Sequence, residues 1–425
     1  MLVNFKVKNF KSYKDLKEFS MEATKLKNLK ESNTFDMNNM SLLKSAVIYG
    51  ANASGKSSLL DAIKGMKSII KNSILVKKSQ YNSKAFVFNV ETENKETFFE
   101  IEFIIDDIIY RYGFTIAVDA TILQEWLFQK KLQVKARESR LFKRIGQNIE
   151  FGTFFKEGKA FTDIEKEFLF LSMVANFDKN GVISKKILNW FSKLTIVSNI
   201  KSDEFLAHSF EKLENEPLKK KILNFIKGAD IGIYDITKKQ VSFEELKKDN
   251  PNIENLPSFI IEDMKKKGLL SVETKHMQYT HDNTYNGLKI LDLSSESDGT
   301  QKLLALSAPI IEALSDGRVL IIDELDNSLH TELLKAIVML FNSEETNPNN
   351  AQLIFTTHDT NLLNQKFFRR DQIWFTEKDI YGATDLYSLV EYGKGKTRDD
   401  LELAKNYLKG KFGAIPHIAL NYEVD

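Results

Sequence analysis

The stretch SAVIYGANASGKSSLLDAI, Ser45–Ile63, decides the fold. Ser45–Tyr49 reads as a short strand, and the apolar residues from Leu59 onward recur at helical spacing. Between them lies GANASGKS, Gly50–Ser57, which fits G-x-x-x-x-G-K-[ST] in the strand–loop–helix setting that this motif requires. Gly50 and Gly55 let the backbone curl, so that the amides of Asn52, Ala53 and Ser54 and those of the helix N-terminus at Lys56, Ser57 and Ser58 can face an anion. In such a loop Lys56 neutralises β- and γ-phosphate charge and the Ser57 hydroxyl is placed to ligate Mg²⁺. A nucleoside triphosphate, ATP, with Mg²⁺ is the expected ligand.

Two later strands supply the partners such a loop needs. Val319-Leu320-Ile321-Ile322 is a continuous apolar run, as for a buried parallel strand, and it ends in Asp323-Glu324. Asp323 is assigned to Mg²⁺ and Glu324 to polarising the hydrolytic water as a general base. Leu353-Ile354-Phe355-Thr356-Thr357 is a second such strand, and it places His358 at its tip, where the γ-phosphate would lie. Strands alternating with helices through the last third, among them a helix read over Ser328–Phe341 after the acidic strand, argue for a largely parallel sheet. A GTPase is disfavoured because no N/T-K-x-D guanine motif is present.

These features, in this order, resemble the ABC-type ATPases, and within them the RecF, SMC and OLD-like branch. Asn9-Phe10-Lys11-Ser12-Tyr13 looks like the N-terminal turn of that branch, and the resemblance carries nucleotide contacts to Lys11 and Ser12. Leu293–Thr300, LSSESDGT, stands where the ABC signature stands but departs from LSGGQ; the family's serine and second glycine map to Ser297 and Gly299. Ser297-Asp298-Gly299 also reads as an ordinary helix N-cap turn. Asp326–His330 resembles the D-loop. A Q-loop glutamine is not placed, with Gln124 and Asn176 as candidates. Tyr407–Pro416 resembles the ending of RloA- and AbiL-type bacterial ATPases, with AriA among the same kind, which serve anti-phage or restriction-linked operons. The resemblance implies a homodimer or higher oligomer in which the signature of one copy closes over the nucleotide of another, and a separate effector protein encoded nearby. Only 67 residues follow His358, too few for the nuclease domain of OLD proteins.

Composition bounds the remaining possibilities. Sixty basic and 59 acidic side chains leave a net charge of +1, so any nucleic-acid contact must be local, with Lys130–Arg144 the best candidate and a solvated hairpin or helix face the plainer reading. The absence of cysteine removes disulfide and thiol chemistry and suits a reducing cytoplasm. No apolar run reaches membrane-spanning length, and the N-terminus has no export-signal pattern.

The expected fold is α/β: an ABC-type P-loop ATPase head with a mainly parallel core sheet, an antiparallel β lobe and a helical insertion. The expected segments are 1–160, with the P-loop and a β lobe that includes a hairpin of Phe98–Ile105 and Ile108–Ile116; 161–285, helical and then loop-rich over 249–282; and 286–425, with the signature, acidic strand and histidine. The expected activity is ATP hydrolysis by a regulatory subunit of an anti-phage, abortive-infection type system. The competing readings are a RecF-like DNA-maintenance ATPase and an ATP-binding scaffold without turnover.

Overall fold

A computed structural model describes residues 1–74, 84–198, 203–229, 231–241, 243–244, 247, 269–391 and 402–416. The chain falls into two compact units, one of Met1–Ser198 with Ala313–Asp425, the other of Asn199–Glu312.

The first unit is built on two sheets. One has six strands in the order Thr195–Val197, Val319–Ile322, Gln352–Thr356, Ser45–Gly50, Ile373–Lys378 and Thr384–Ser388. The first five run parallel, and only the edge strand Thr384–Ser388 is antiparallel. The central strands read as unbroken apolar runs because both faces are covered: every residue of Ser45–Gly50, Val319–Ile322 and Gln352–Thr356 is buried. Parallel register brings the C-terminal ends of three of these strands, Gly50, Ile322 and Thr356, to one edge of the sheet, where ligands bind in open α/β sheets.

The other sheet has seven antiparallel strands, ordered Asn148–Phe151, Ser139–Ile145, Ile122–Lys131, Ile108–Ile116, Thr97–Ile105, Leu2–Lys8 and Lys17–Ser20. It contains the hairpin read around Asp106-Asp107, whose two turn residues take left-handed φ of 47° and 60°. The helix Lys56–Asn72 packs an apolar stripe of Leu59, Leu60, Ile63, Met66 and Ile70 into one core with Phe99, Ile101 and Phe103 of this sheet and Ile48 of the parallel one. Burying that stripe contributes on the order of 2 kcal/mol per large side chain, which holds the phosphate loop between two sheets.

The second unit has a three-stranded antiparallel sheet, Ile233–Val241, Leu269–Tyr279 and Tyr285–Asp292. Ile236 and Val272 pack with Ile222 and Ile226 of the helix Glu216–Gly228 and with Leu304 and Ile311 of the helix Asp298–Asp316.

Three local expectations are corrected. The segment read as helical from 161 up to the loop-rich stretch is interrupted by the strands Thr195–Val197 and Ile233–Val241. The stretch read as loop-rich contains the strand Leu269–Tyr279, whose mixed lysine, glutamate and threonine composition hides a half-buried alternation; its part from 249 to 268 lies outside the described residues. The helix expected from Ser328 begins at Thr331, because Ser328 has φ 61° and His330 caps the helix by accepting the Glu332 amide.

Candidate functional site

The phosphate loop gets its shape from backbone that few residues tolerate. Ala53 has φ 61° and Gly55 φ 114°, and a Cβ built on Gly55 would lie 2.4 Å from Thr384 Oγ1. One on Gly50 would lie 2.4 Å from Thr376 Oγ1 and 2.5 Å from the Thr376 carbonyl oxygen. Gly55 caps the helix without any side-chain hydrogen bond, so no side chain of its own competes for the first-turn amides. The loop is also held from behind. Ser54 and Thr376 share a hydroxyl–hydroxyl bond of 2.6 Å, Thr384 Oγ1 donates to the Ser54 carbonyl at 2.8 Å, and Tyr13 OH donates to the Gly55 carbonyl at 3.1 Å.

Lys56 reaches back over this loop and donates to the carbonyls of Gly50 (2.9 Å) and Ala51 (3.1 Å). Burial lowers its pKa, and the opposing pull comes from Asp323, Glu324 and Asp326. The P-loop cation and the acidic strand tip therefore share one electrostatic field. Asn52, Ala53 and Ser57 are exposed along the loop, while Ser58 is half-buried.

At the acidic strand, Thr356 Oγ1 donates to Asp323 Oδ1 at 2.6 Å and accepts the Glu324 amide at 2.7 Å. The Leu325 amide donates to the Thr356 carbonyl at 3.0 Å. This three-point tie holds Glu324 at a left-handed φ of 50°, a conformation that is costly for glutamate and that turns its carboxylate off the strand's alternation toward solvent. Asp323 stays half-buried. His358 follows the same threonine strand, and its amide donates to Asp326 Oδ2 at 2.9 Å. Partial burial and the nearby Lys56 charge lower the His358 pKa, against the carboxylates of Asp326, Glu324 and Asp323. The imidazole is thus neutral near pH 7 and able to donate from one ring nitrogen.

The first unit therefore brings together Gly50–Ser58, Asp323, Glu324 and His358. Lys11 and Ser12 lie behind the loop. Lys11, at φ 48°, pairs its ammonium with Asp61 on the P-loop helix. Ser12 Oγ is buried and has no hydrogen-bond partner among the described residues; it would sit 3.0 Å from a Cβ on Gly55. Ser297 and Gly299 belong to the second unit. Ser297 Oγ accepts the Thr300 amide at 3.1 Å, as an N-cap does, and Glu296 beside it accepts from His276 and Thr274. Gln124 lies within the antiparallel strand Ile122–Lys131, and the Asn176 side chain is bonded to the Ser172 carbonyl.

The basic segment 130–144 forms the turn between Ile122–Lys131 and Ser139–Ile145, as the hairpin reading expects, but Arg144 is not part of a solvated face. It is buried, donating to the carbonyls of Gly146 and Phe168 and standing 3.9 Å from the buried Glu125 carboxylate. Arg140 is paired with Glu150.

Sequence reasoning passed over Thr356, Thr376 and Thr384 as parts of the site, and reached Asp326 only through the D-loop resemblance. Only Thr356 carried a signal, as a hydroxyl at the end of an apolar run directly before Thr357-His358.

The donor set suits a triphosphate with a divalent cation. An uncapped helix N-terminus and Lys56 face anionic charge, and the carboxylates beside them would repel phosphate unless a cation stood between. Ser57 and Asp323 are the residues that would hold that cation. A family model described as "AAA domain, putative AbiEii toxin, Type IV TA system" matches residues 45–364, well over half of the chain. No curated protein matches it.

Proposed function

The chain belongs to this AAA-domain family of P-loop ATPases, and on that premise we propose that it binds and hydrolyses ATP at Gly50–Ser58, Asp323, Glu324 and His358. Ser57 and Asp323 would hold Mg²⁺, which would supply charge neutralisation at the β- and γ-phosphates. Lys56 exchanges its bonds to the loop carbonyls for phosphate oxygens. Glu324 takes the proton of the attacking water, and neutral His358 donates to the γ-phosphate. The observation that carries this reading is the pair of hydrogen bonds of the Thr356 hydroxyl, donated to Asp323 and accepted from the Glu324 amide, which fixes a metal-side carboxylate and a solvent-facing carboxylate next to Lys56.

The test is Glu324→Gln. It retains ATP affinity and slows hydrolysis by at least about 100-fold, the usual worth of a general base; turnover at the wild-type rate sinks the assignment.

At the finer level the reading is a nucleotide-driven regulatory subunit of a defence system, in the RecF/SMC/OLD-like branch and of the RloA/AbiL/AriA kind. Two copies close on two ATPs, with Ser297 and Gly299 of one facing the nucleotide of the other, and this assembly controls a separate effector. The family description, with its toxin and type IV toxin–antitoxin wording, supports the defence setting. Binding energy that differs between open and closed assemblies is the physical means of control. Light scattering of Glu324→Gln with and without ATP and Mg²⁺ tests the assembly: a doubling of mass supports it, and an unchanged monomer removes it.

A further inference from the structure

We propose that Phe88 and Tyr381 form the platform on which the base of the bound nucleotide stacks. Both are aromatic side chains left in water beside the phosphate loop, Phe88 71% and Tyr381 75% exposed. They stand on two segments that meet: a Cβ built on Gly382 would touch the Phe88 ring at 3.0 Å. Asp379 fixes the Tyr381 turn by accepting the amides of Tyr381 and Ala383 at 2.9 and 2.8 Å. Asn89 likewise fixes the other segment, its side chain accepting the Glu91 amide at 2.8 Å.

Each segment is tied to the phosphate loop. Two residues beyond Gly382, Thr384 donates its hydroxyl to the Ser54 carbonyl and its amide to the Ser12 carbonyl at 2.7 Å. Four residues before Phe88, the Lys84 carbonyl accepts the amide of Lys11. Counting about 3.8 Å per residue from Gly382 to Thr384, with the side-chain bonds and contacts at either end, the Phe88 ring lies no more than about 17 Å from the Ser54 carbonyl, on the scale of an extended nucleoside triphosphate. Solvent-exposed aromatic rings in rigid turns next to a phosphate site favour a flat heteroaromatic ligand, because stacking removes ring faces from water without needing a fixed hydrogen-bond pattern.

This inference rests on the reading of Gly50–Ser58 as a triphosphate site, and the experiment separates the two. Calorimetry with Mg²⁺ compares ATP with inorganic tripolyphosphate on the wild-type chain and on Phe88→Ala/Tyr381→Ala. The expected result is a wild type that binds ATP about ten-fold more tightly than tripolyphosphate, and a variant that keeps its tripolyphosphate affinity but loses the preference. A conservative Tyr381→Phe retains it. As a direct readout, Tyr381→Trp shows fluorescence quenching with ATP that tripolyphosphate does not cause. Equal wild-type affinity for the two ligands, a preference that survives the double substitution, or loss of tripolyphosphate binding in the variant overturns the platform and leaves the P-loop reading standing. A wild type that binds neither ligand overturns both.

Discussion

Thr356 and Asp323 are joined by a hydroxyl–carboxylate hydrogen bond of 2.6 Å across two adjacent parallel strands, and the same hydroxyl accepts the Glu324 amide. One buried side chain therefore sets both carboxylates. Thr356→Val keeps the shape but leaves the Asp323 oxygen and the Glu324 amide without that partner, which costs about 1–3 kcal/mol in denaturant unfolding. It also frees Glu324 from its left-handed turn, so ATPase turnover falls by about 10- to 100-fold. Thr356→Ser restores most of both. Equal turnover in the valine and serine variants would contradict a positioning role.

Gly55→Ala tests the shape of the loop. The added methyl meets Thr384 Oγ1 at 2.4 Å at a φ of 114°, so the strain and the forced shift destabilise the chain by about 1–3 kcal/mol. ATP binding, read by calorimetry, is lost with it. A variant that melts lower yet binds normally would show that the loop tolerates a wider curl.

His358 gives a pH signature in the nucleotide-free protein. Its folded pKa lies below the unfolded value of 6.5, so on acidification the unfolded chain takes up a proton before the folded one does. Stability contributed at neutral pH is therefore lost as pH falls from 6.5 toward the folded pKa. His358→Gln lacks this contribution, and its melting temperature declines less than the wild type's between pH 7.5 and 5.5. Parallel curves for the two proteins would rule out the shift.

Ser297 separates a capping role from one toward nucleotide. Ser297→Ala removes the bond to the Thr300 amide and costs about 1 kcal/mol of stability. Ser297→Asp keeps a good cap but brings a negative charge. If Ser297 closes over the nucleotide of a second copy, the aspartate variant melts normally, binds ATP and turns over at least about ten-fold more slowly. Wild-type turnover in that variant retires the composite site.

Elements whose signal is local were legible in the residues alone. Gly50–Ser57 is legible because a curled anion loop needs particular residues at fixed spacing, and Val319–Ile322 and Gln352–Thr356 because a strand covered on both faces must be apolar throughout. From these followed the α/β class and the residues Lys56, Asp323, Glu324 and His358. The tertiary structure alone decided what depends on neighbours far apart in the chain. Strand order put Thr356 against Asp323, and the hairpin after Ile373–Lys378 put Thr384 behind Ser54. Arg144 turned inward to Glu125 and the Phe168 carbonyl although its segment reads as a charged face. A hydroxyl or guanidinium carries no periodic mark of its partner, since hydrogen-bond energy is set by distances that only the folded chain creates.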